Sequence, residues 1–550
     1  MLYRTIQYRN EMNGVGGVFM TDRTMAFVNG QILTADADFH QAEALAIRGG
    51  KVVAVGSQTD VEPVIDPDTK IINLHGATLM PGFVDAHAHL ELYGTNRLGV
   101  DCKAVASIGE MVEKLRARAR QTPKGEWIRG WGYNQKSLAE GRHPTREDLD
   151  QVSTEHPVIV TRTCGHISAV NSRALEKAGL NECAPDPPGG KRVRREGKLT
   201  GVLLEAAHME MFLRAQYPER ELRQALLLAS QDFLKQGITS VHDAGGYGND
   251  HFRRLQQGVA AGEIGLRVTS LVGSLHDSPG VVRRALEAGV VTGLGNDRFQ
   301  LGPAKVFIDG SSSGPTASTR QPYTSAPEDS GILYLQQEEL DELMGAAHRK
   351  GWQLTAHAIG DRAVDMMVTC IEKQLREHPR TDHRHRIEHA GMVPPDLMAR
   401  IRRAGIVPIP NPAFVHEFGD GYVTDYGERV HGMFPMRSYM EKGIPAAIGS
   451  DSPITTPDPF VGLFAAVTRQ SRSGQVIGAG QTIPLTEAIR RYTWYGAYAS
   501  FDEGKLGSLE PGKRADLIVL DRPLLGTPPE RLPETRVDLT MVDGTIRYER

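Results

Sequence analysis

The sequence predicts an α/β protein: a (β/α)8, TIM-like barrel with a small β-sandwich domain built from both chain ends and a long insertion after the first barrel strand. Three observations predict it. Between residues 81 and 500, apolar strand-like runs alternate with helix-like stretches, and the runs end near His89, Asp243, Ser274, Asp309, His357, His389, Pro410 and Asp451. Eight such βα units are the count of a closed barrel. The two chain ends share a different pattern, short β-type segments punctuated by turns. Finally, about 150 residues separate the first apolar run from the second, far more than one βα unit requires.

Taken in order, the N-terminal β segments are Ala26–Gly30, a stretch over 44–55 broken by Gly49-Gly50, and Ile71–Gly76. Their counterparts at the other end are Ala515–Leu520 and Met541–Ile546. Residues 25–80 and 501–550 are therefore expected to pair into one sheet domain, from which the barrel, 81–500, emerges. Within the barrel, 100–230 reads as an insertion forming a lid or substrate-shaping subdomain on the catalytic face. It carries Trp127, Trp131-Gly132-Tyr133 and the run Val158–His166.

At 550 residues the chain is long enough for one large domain plus a smaller one. Its net charge of −4 and pI near 6.6 give no long-range field for nucleic acid or anionic lipid, so neither partner is expected. Cysteines 102, 164, 183 and 370 are too few and too scattered for a disulfide framework, which fits a reducing cytoplasm. No apolar stretch approaches the ~20 residues of a membrane helix, and the first residues lack the apolar centre of a secretory signal. Met20 or Met25 is a candidate start of translation. Nothing fixes the oligomeric state, for which a homodimer is the working expectation.

The most informative stretch is Leu79–His89, where an apolar strand ends in His87-Ala88-His89. In a strand, residues i and i+2 point the same way, so the two imidazoles could hold one metal ion. Alone the pair is weak, since about 0.65 His-x-His pairs arise by chance from 19 histidines in 550 residues, and His383-x-His385 is such a candidate. Its weight comes from Lys305, His357, His389 and Asp451, each at the end of its own apolar run.

The motifs Pro81–His89, Lys305–Gly310, Leu354–Asp361, Arg386–Ala390 and Ile448–Pro453 closely resemble the metal-dependent amidohydrolase superfamily. Within it the chain is similar to the amidohydrolase 3 group, whose members include N-substituted formamide deformylases. The likeness extends to the closing Gly507–Leu517, typical of that family's terminal β domain. The resemblance implies a hydrolase of carbon–nitrogen bonds other than peptide bonds, but not its substrate.

It also implies roles. His87, His89, His357 and His389 match the family's histidine ligands for a divalent metal, zinc above all, one or two ions. Lys305 matches the fourth-strand lysine that is often carboxylated to a metal-bridging carbamate. The alternative is a buried Lys305–Asp309 ion pair, and the site is then mononuclear. Asp451 matches the eighth-strand aspartate that touches the metal and shuttles a proton between metal-activated hydroxide and the leaving nitrogen. The structural alternative for Asp451 is a helix N-cap in Ser450-Asp451-Ser452-Pro453. Asp85 either orients one imidazole or satisfies buried backbone. His166 is the candidate donor to the developing oxyanion. Trp131, Tyr133, Arg162, Ser311 and Arg320 are weaker candidates for contact with a small-molecule substrate, and aromatic residues near 127–133 and 414–426 suggest that it carries an apolar or aromatic group. The segment Gly310–Pro315 reads as a mobile loop that closes on it.

Two other functions stay open. An ester or carbamate hydrolase, or a deaminase, would use the same site. A metal-free binding or scaffold protein on the same fold would be expected to have lost a ligand or the aspartate, and this chain has lost none.

Overall fold

The computed structural model describes residues 23–550; the candidate start at Met20 lies outside them. Seven parallel strands form the barrel sheet in chain order: Phe83–Ala88, Ile238–Asp243, Arg267–Val272, Phe299–Phe307, Leu354–Ala358, Arg386–His389 and Val407–Ile409. All six residues of the first strand are buried, and so are all six of the second and third, as expected of strands covered on both faces.

Residues 444–451 close the ring. Ala447 donates to Pro408 O on the seventh strand and Gly449 to Pro410 O just past its end, at 3.1 and 3.3 Å. On the other edge Ile448 O accepts from Ala86 N at 3.1 Å, and Asp451 N donates to His87 O at 2.7 Å. Gly449 is required there by close approach, since a Cβ on it would meet His87 Cβ at 2.6 Å. The eighth stave thus delivers Asp451 directly beside the first strand's histidines.

Amphipathic helices cover the barrel. In Asp361–Glu377 the buried residues Ala363, Val364, Met367, Val368 and Ile371 recur at helical spacing and pack with Ile387, Leu354 and Trp352. Helix Glu219–Lys235 buries Leu226, Ala229, Phe233 and Leu234 against Phe83, Ile238 and Val241 of the barrel.

Both chain ends contribute to the β domain. Thr78–Pro81 lies beside Leu517–Leu520, antiparallel, with Leu79 opposite Val519 and Pro81 opposite Leu517. This six-stranded sheet faces a four-stranded one made of Met25–Val28, Ala44–Arg48, Lys51–Gly56 and Lys70–Asn73. Phe27, Ile47, Val52, Leu517 and Met541 fill the space between them.

Six further strands between Val100 and Glu205 form a separate sheet with its own apolar clusters, one around Ile108, Leu115, Tyr133 and Leu149, another around Ile159, Leu175, Leu203 and Met211. Its last strand, Lys198–Glu205, ends at a left-handed Glu205, φ 52°. The helix that follows, Ala206–Arg214, packs back on this sheet through Ala207 and Met211.

Candidate metal centre

Three imidazoles are each fixed through one ring nitrogen, leaving the other to face Asp451. Asn411 donates its amide to Gly449 O at 2.8 Å, so its Oδ1 is an acceptor, and it takes the Nδ1 proton of His389 at 2.8 Å. His89 Nδ1 donates to Gly245 O at 2.8 Å, and His87 Nδ1 is bonded to Glu388. Each Nε2 therefore carries the ring's lone pair. His87 Nε2 and His89 Nε2 lie 3.4 and 3.5 Å from Asp451 Oδ1. Ligand atoms of His87, His389 and Asp451 all fall within 4.8 Å of one another. His389 Nε2 is buried with no hydrogen-bond partner. Such an orphaned lone pair is costly in a packed interior and is what a divalent cation would satisfy, so the donor set fits a metal ion.

Protonation states agree with this. Burial pushes His389 down to about 3 and His357 well below its usual value, so both are neutral and able to coordinate. Burial works against ionisation of Asp451, but the His87, His89 and His389 rings around it hold its carboxyl well below the usual range. Asp451 caps no helix: the next helix, Pro459–Thr468, is capped by Asp458. Left-handed backbone at His389 (φ 69°) and Asp451 (φ 54°) ends both staves at the site. At His389 it lets consecutive Glu388 and His389 serve one centre, where regular alternation would send them to opposite faces.

Lys305 and His357 sit alongside. Lys305 Nζ donates to Ala244 O at 2.9 Å and lies 3.5 Å from His87 Nε2, and burial lowers its ammonium to about 8. It makes no ion pair with Asp309, whose oxygens accept instead from the backbone of Ser318, Ile359 and Gly360 at 2.8–3.0 Å. The His357 ring packs edge-on to His389, centroids 4.5 Å apart, and its Nε2 donates to Gly310 O at 3.0 Å. Asp85 orients no imidazole: it accepts from Ser450 N and Oγ, at 2.9 and 2.5 Å, and from His87 N at 3.2 Å.

The insertion brings His166 to this group, its ring 5.9 Å from that of His357. Burial disfavours its charge, but Glu205, bonded to Nδ1 at 2.8 Å, raises His166 to about 9. The other candidates scatter. Trp131 lies close to Ile454, three residues past Asp451, both being near neighbours of Gly165. Tyr133 is part of the insertion's own core and bonds His143 at 2.9 Å. Arg320 is paired with Asp365 and Asp396 on barrel helices, at 2.8 and 2.9 Å. Ser311 belongs to a segment that is bonded rather than loose: Ser311 N donates to Thr316 Oγ1, and Tyr422 and Tyr426 hold Ser312 at 2.7 and 2.8 Å. Arg162 donates to Ser313 O at 3.2 Å.

Glu388, Asn411 and Glu205 are the partners that sequence reasoning missed. Glu388 had a usable signal, because Arg386 and Glu388 are opposite charges at i and i+2 in a wholly buried strand, and such charges need each other. Asn411 and Glu205 carried none, since their partners arise only from the folded chain.

The profile of the amidohydrolase family matches residues 70–548. The chain belongs to the amidohydrolase family. As an amidohydrolase it is 31% identical to the N-substituted formamide deformylase of Arthrobacter pascens, over 96% of this chain and 99% of that one. A metal-dependent hydrolase from Pyrococcus horikoshii superposes with a TM-score of 0.75 at 28% identity, covering 92% of this amidohydrolase and 99% of the other chain. Its counterpart from Pyrococcus furiosus gives 0.73 at 28%, covering 91% and 100%. The protein is an enzyme, a hydrolase with a small-molecule substrate, and no helix among the described residues is long and apolar enough to cross a membrane.

Proposed function

We propose that this amidohydrolase cleaves a carbon–nitrogen bond of an amide or N-substituted formamide in a metal-dependent reaction. The observation that carries the reading is the convergence of three oriented imidazoles on the ionised Asp451, with His389 Nε2 left without a partner. His87, His389 and Asp451, with His89, would hold one ion; Lys305, if carboxylated on Nζ, and His357 would hold a second. Zinc suits the imidazole-rich set. A bound divalent ion supplies Lewis acidity, polarising the carbonyl and making hydroxide available near neutral pH.

The chain's own residues do the rest. Asp451 accepts the proton of the attacking water and returns it to the leaving nitrogen. His166, held as an imidazolium by Glu205, donates a hydrogen bond to the oxyanion as the carbonyl becomes tetrahedral. Phe414, stacked on His389 with centroids 6.0 Å apart, begins an aromatic wall that favours an apolar or aromatic substituent.

Metal content tests the reading first. Protein purified without chelator is expected to hold about one to two equivalents of zinc or a similar ion, with formate or another acid released from a panel of N-substituted amides. A protein that holds no metal, takes none up and releases no acid would overturn it.

A further inference from the structure

The guanidinium of Arg162 is almost wholly buried and makes no ion pair. Nε donates to Gln135 Oε1 at 2.6 Å, and Nη2 to Ser313 O at 3.2 Å and Asn134 Oδ1 at 3.4 Å. All three acceptors are neutral, and Nη1 is buried with no partner. Other buried arginines differ. Arg386 has Glu388 at 2.9 Å and Arg491 has Glu487 at 2.7 Å. Arg469 has no carboxylate, but its three nitrogens are satisfied by the carbonyls of Ile477, Phe434 and Met433. Arg162 alone of these four lacks both an anion and a full set of acceptors. A buried charge left so is costly, and a guanidinium matches a carboxylate better than any neutral group.

Two paths tie Arg162 to the metal centre. Its acceptor Ser313 follows Gly310, whose carbonyl binds His357, by three residues. Three Cα steps bound that separation at about 11 Å. The second path is aromatic: from His389 through Phe414, Phe418 and Tyr422, with neighbouring centroids 5.6–6.2 Å apart, to the Tyr422 hydroxyl on Ser312. A row of packed aromatic rings thus leads from the reacting end of the site to Ser312, the neighbour of the Ser313 that accepts from Arg162.

We propose that Arg162 anchors a carboxylate at the far end of the substrate, so that the preferred amides are anionic, with an aryl or alkyl segment spanning that row of rings. This deepens the carbon–nitrogen hydrolase reading and rests on it. The carboxylate would take Nη1 and Nη2, and Gln135 and Asn134 would keep the guanidinium plane in place.

The test pairs ligands with and without the terminal carboxylate. Binding of phenylpropanoate and of phenylpropanol is measured calorimetrically on the metal-loaded protein, and N-formyl-aminohexanoate is compared with N-formyl-hexylamine as substrate. The carboxylate is expected to bind about 10- to 100-fold more tightly, the scale of a hydrogen bond to a charged group. A carboxylate could also bind the metal, so the variants decide. Arg162→Gln should abolish the preference. Gln135→Glu, which places an anion on Arg162 Nε and removes the unpaired charge, should abolish it too without threatening the fold. A carboxylate preference absent in the wild type, or unchanged in Gln135→Glu, overturns the proposal. If the preference depends on Arg162 but neither formamide is cleaved, the anchor stands and the hydrolase reading fails.

Discussion

Glu388 holds the Nδ1 of His87 from 301 residues further along the chain. The same carboxylate accepts from Thr355 Oγ1 at 2.6 Å and from Arg386 at 2.9 and 3.0 Å. Arg386 in turn donates to Ala86 O, on the strand that carries His87, at 2.7 Å. The first and sixth strands are thereby locked in register behind the candidate metal centre, and the tautomer of His87 is set by a residue on the side of the ring away from Asp451.

Glu388→Gln is therefore expected to weaken metal binding about 10- to 100-fold, the range for partners of metal-bound histidines. Arg386 loses its buried counter-charge in the same step, so Tm should fall as well. The affinity is read by competition with a chelator at a temperature where circular dichroism shows the variant folded. Unchanged affinity would mean that Glu388 serves only the Arg386 pair.

Asp451→Asn removes the proton carrier while keeping an oxygen in nearly the same place. The variant should retain at least part of its metal and lose about 10²- to 10⁴-fold in kcat, the usual worth of a positioned acid–base group. Metal content by elemental analysis and steady-state kinetics on the same preparation separate the two roles. Metal retained with activity near wild type would remove Asp451 from proton transfer.

His166→Phe keeps a ring of similar size but no donor. If the imidazolium stabilises the oxyanion, kcat should fall about 10²- to 10³-fold with KM little changed. Glu205→Gln should give a smaller loss, because His166 keeps its place but no longer its charge. A variant that raises KM alone would make His166 a substrate-binding residue.

The barrel is legible in the sequence because its strands are buried on both faces, and buried strands read as continuous apolar runs ending in polar residues. The eighth stave is legible by its apolar Ile444–Ile448 run and its Asp451 end, although its hydrogen bonds alternate irregularly between two neighbours. The matched histidines, Lys305 and Asp451 do come together, with His87 and His89 from the first strand end and one residue from each of the others on the same face. What the chain does not announce is the layer behind them. Same-face spacing leaves Asp85 open between an imidazole and buried backbone; it takes the backbone of Ser450 and His87, with the Ser450 hydroxyl, and Glu388 crosses the barrel to the imidazole. Residues of the insertion are the hardest to place. Tyr133 and Trp131 are two positions apart in one strand, yet Gly132 (φ 98°) bulges that strand, with Tyr133 in the insertion core and Trp131 beside the barrel's Ile454.

His251 offers a prediction on stability away from the ligands themselves. It is wholly buried between two carboxylates, Nε2 on Asp243 Oδ2 at 2.5 Å and Nδ1 on Glu91 Oε2 at 3.0 Å. Burial disfavours its charge, but Asp243 and Glu91 outweigh it and push His251 up to about 10 from 6.5. The folded state thus binds this proton more tightly than the unfolded chain does. Its contribution is complete below pH 6.5 and drains away as pH rises to about 10. Other groups titrate in that window, Lys305 near 8 in the opposite sense, since its folded value lies below its unfolded one. The difference between wild type and His251→Gln isolates the histidine. At pH 6 the variant should melt well below the wild type, and the gap should narrow steadily as the pH approaches 10. Tm curves that run parallel across that range would show that His251 is held by shape alone, with no net charge shared between Glu91 and Asp243.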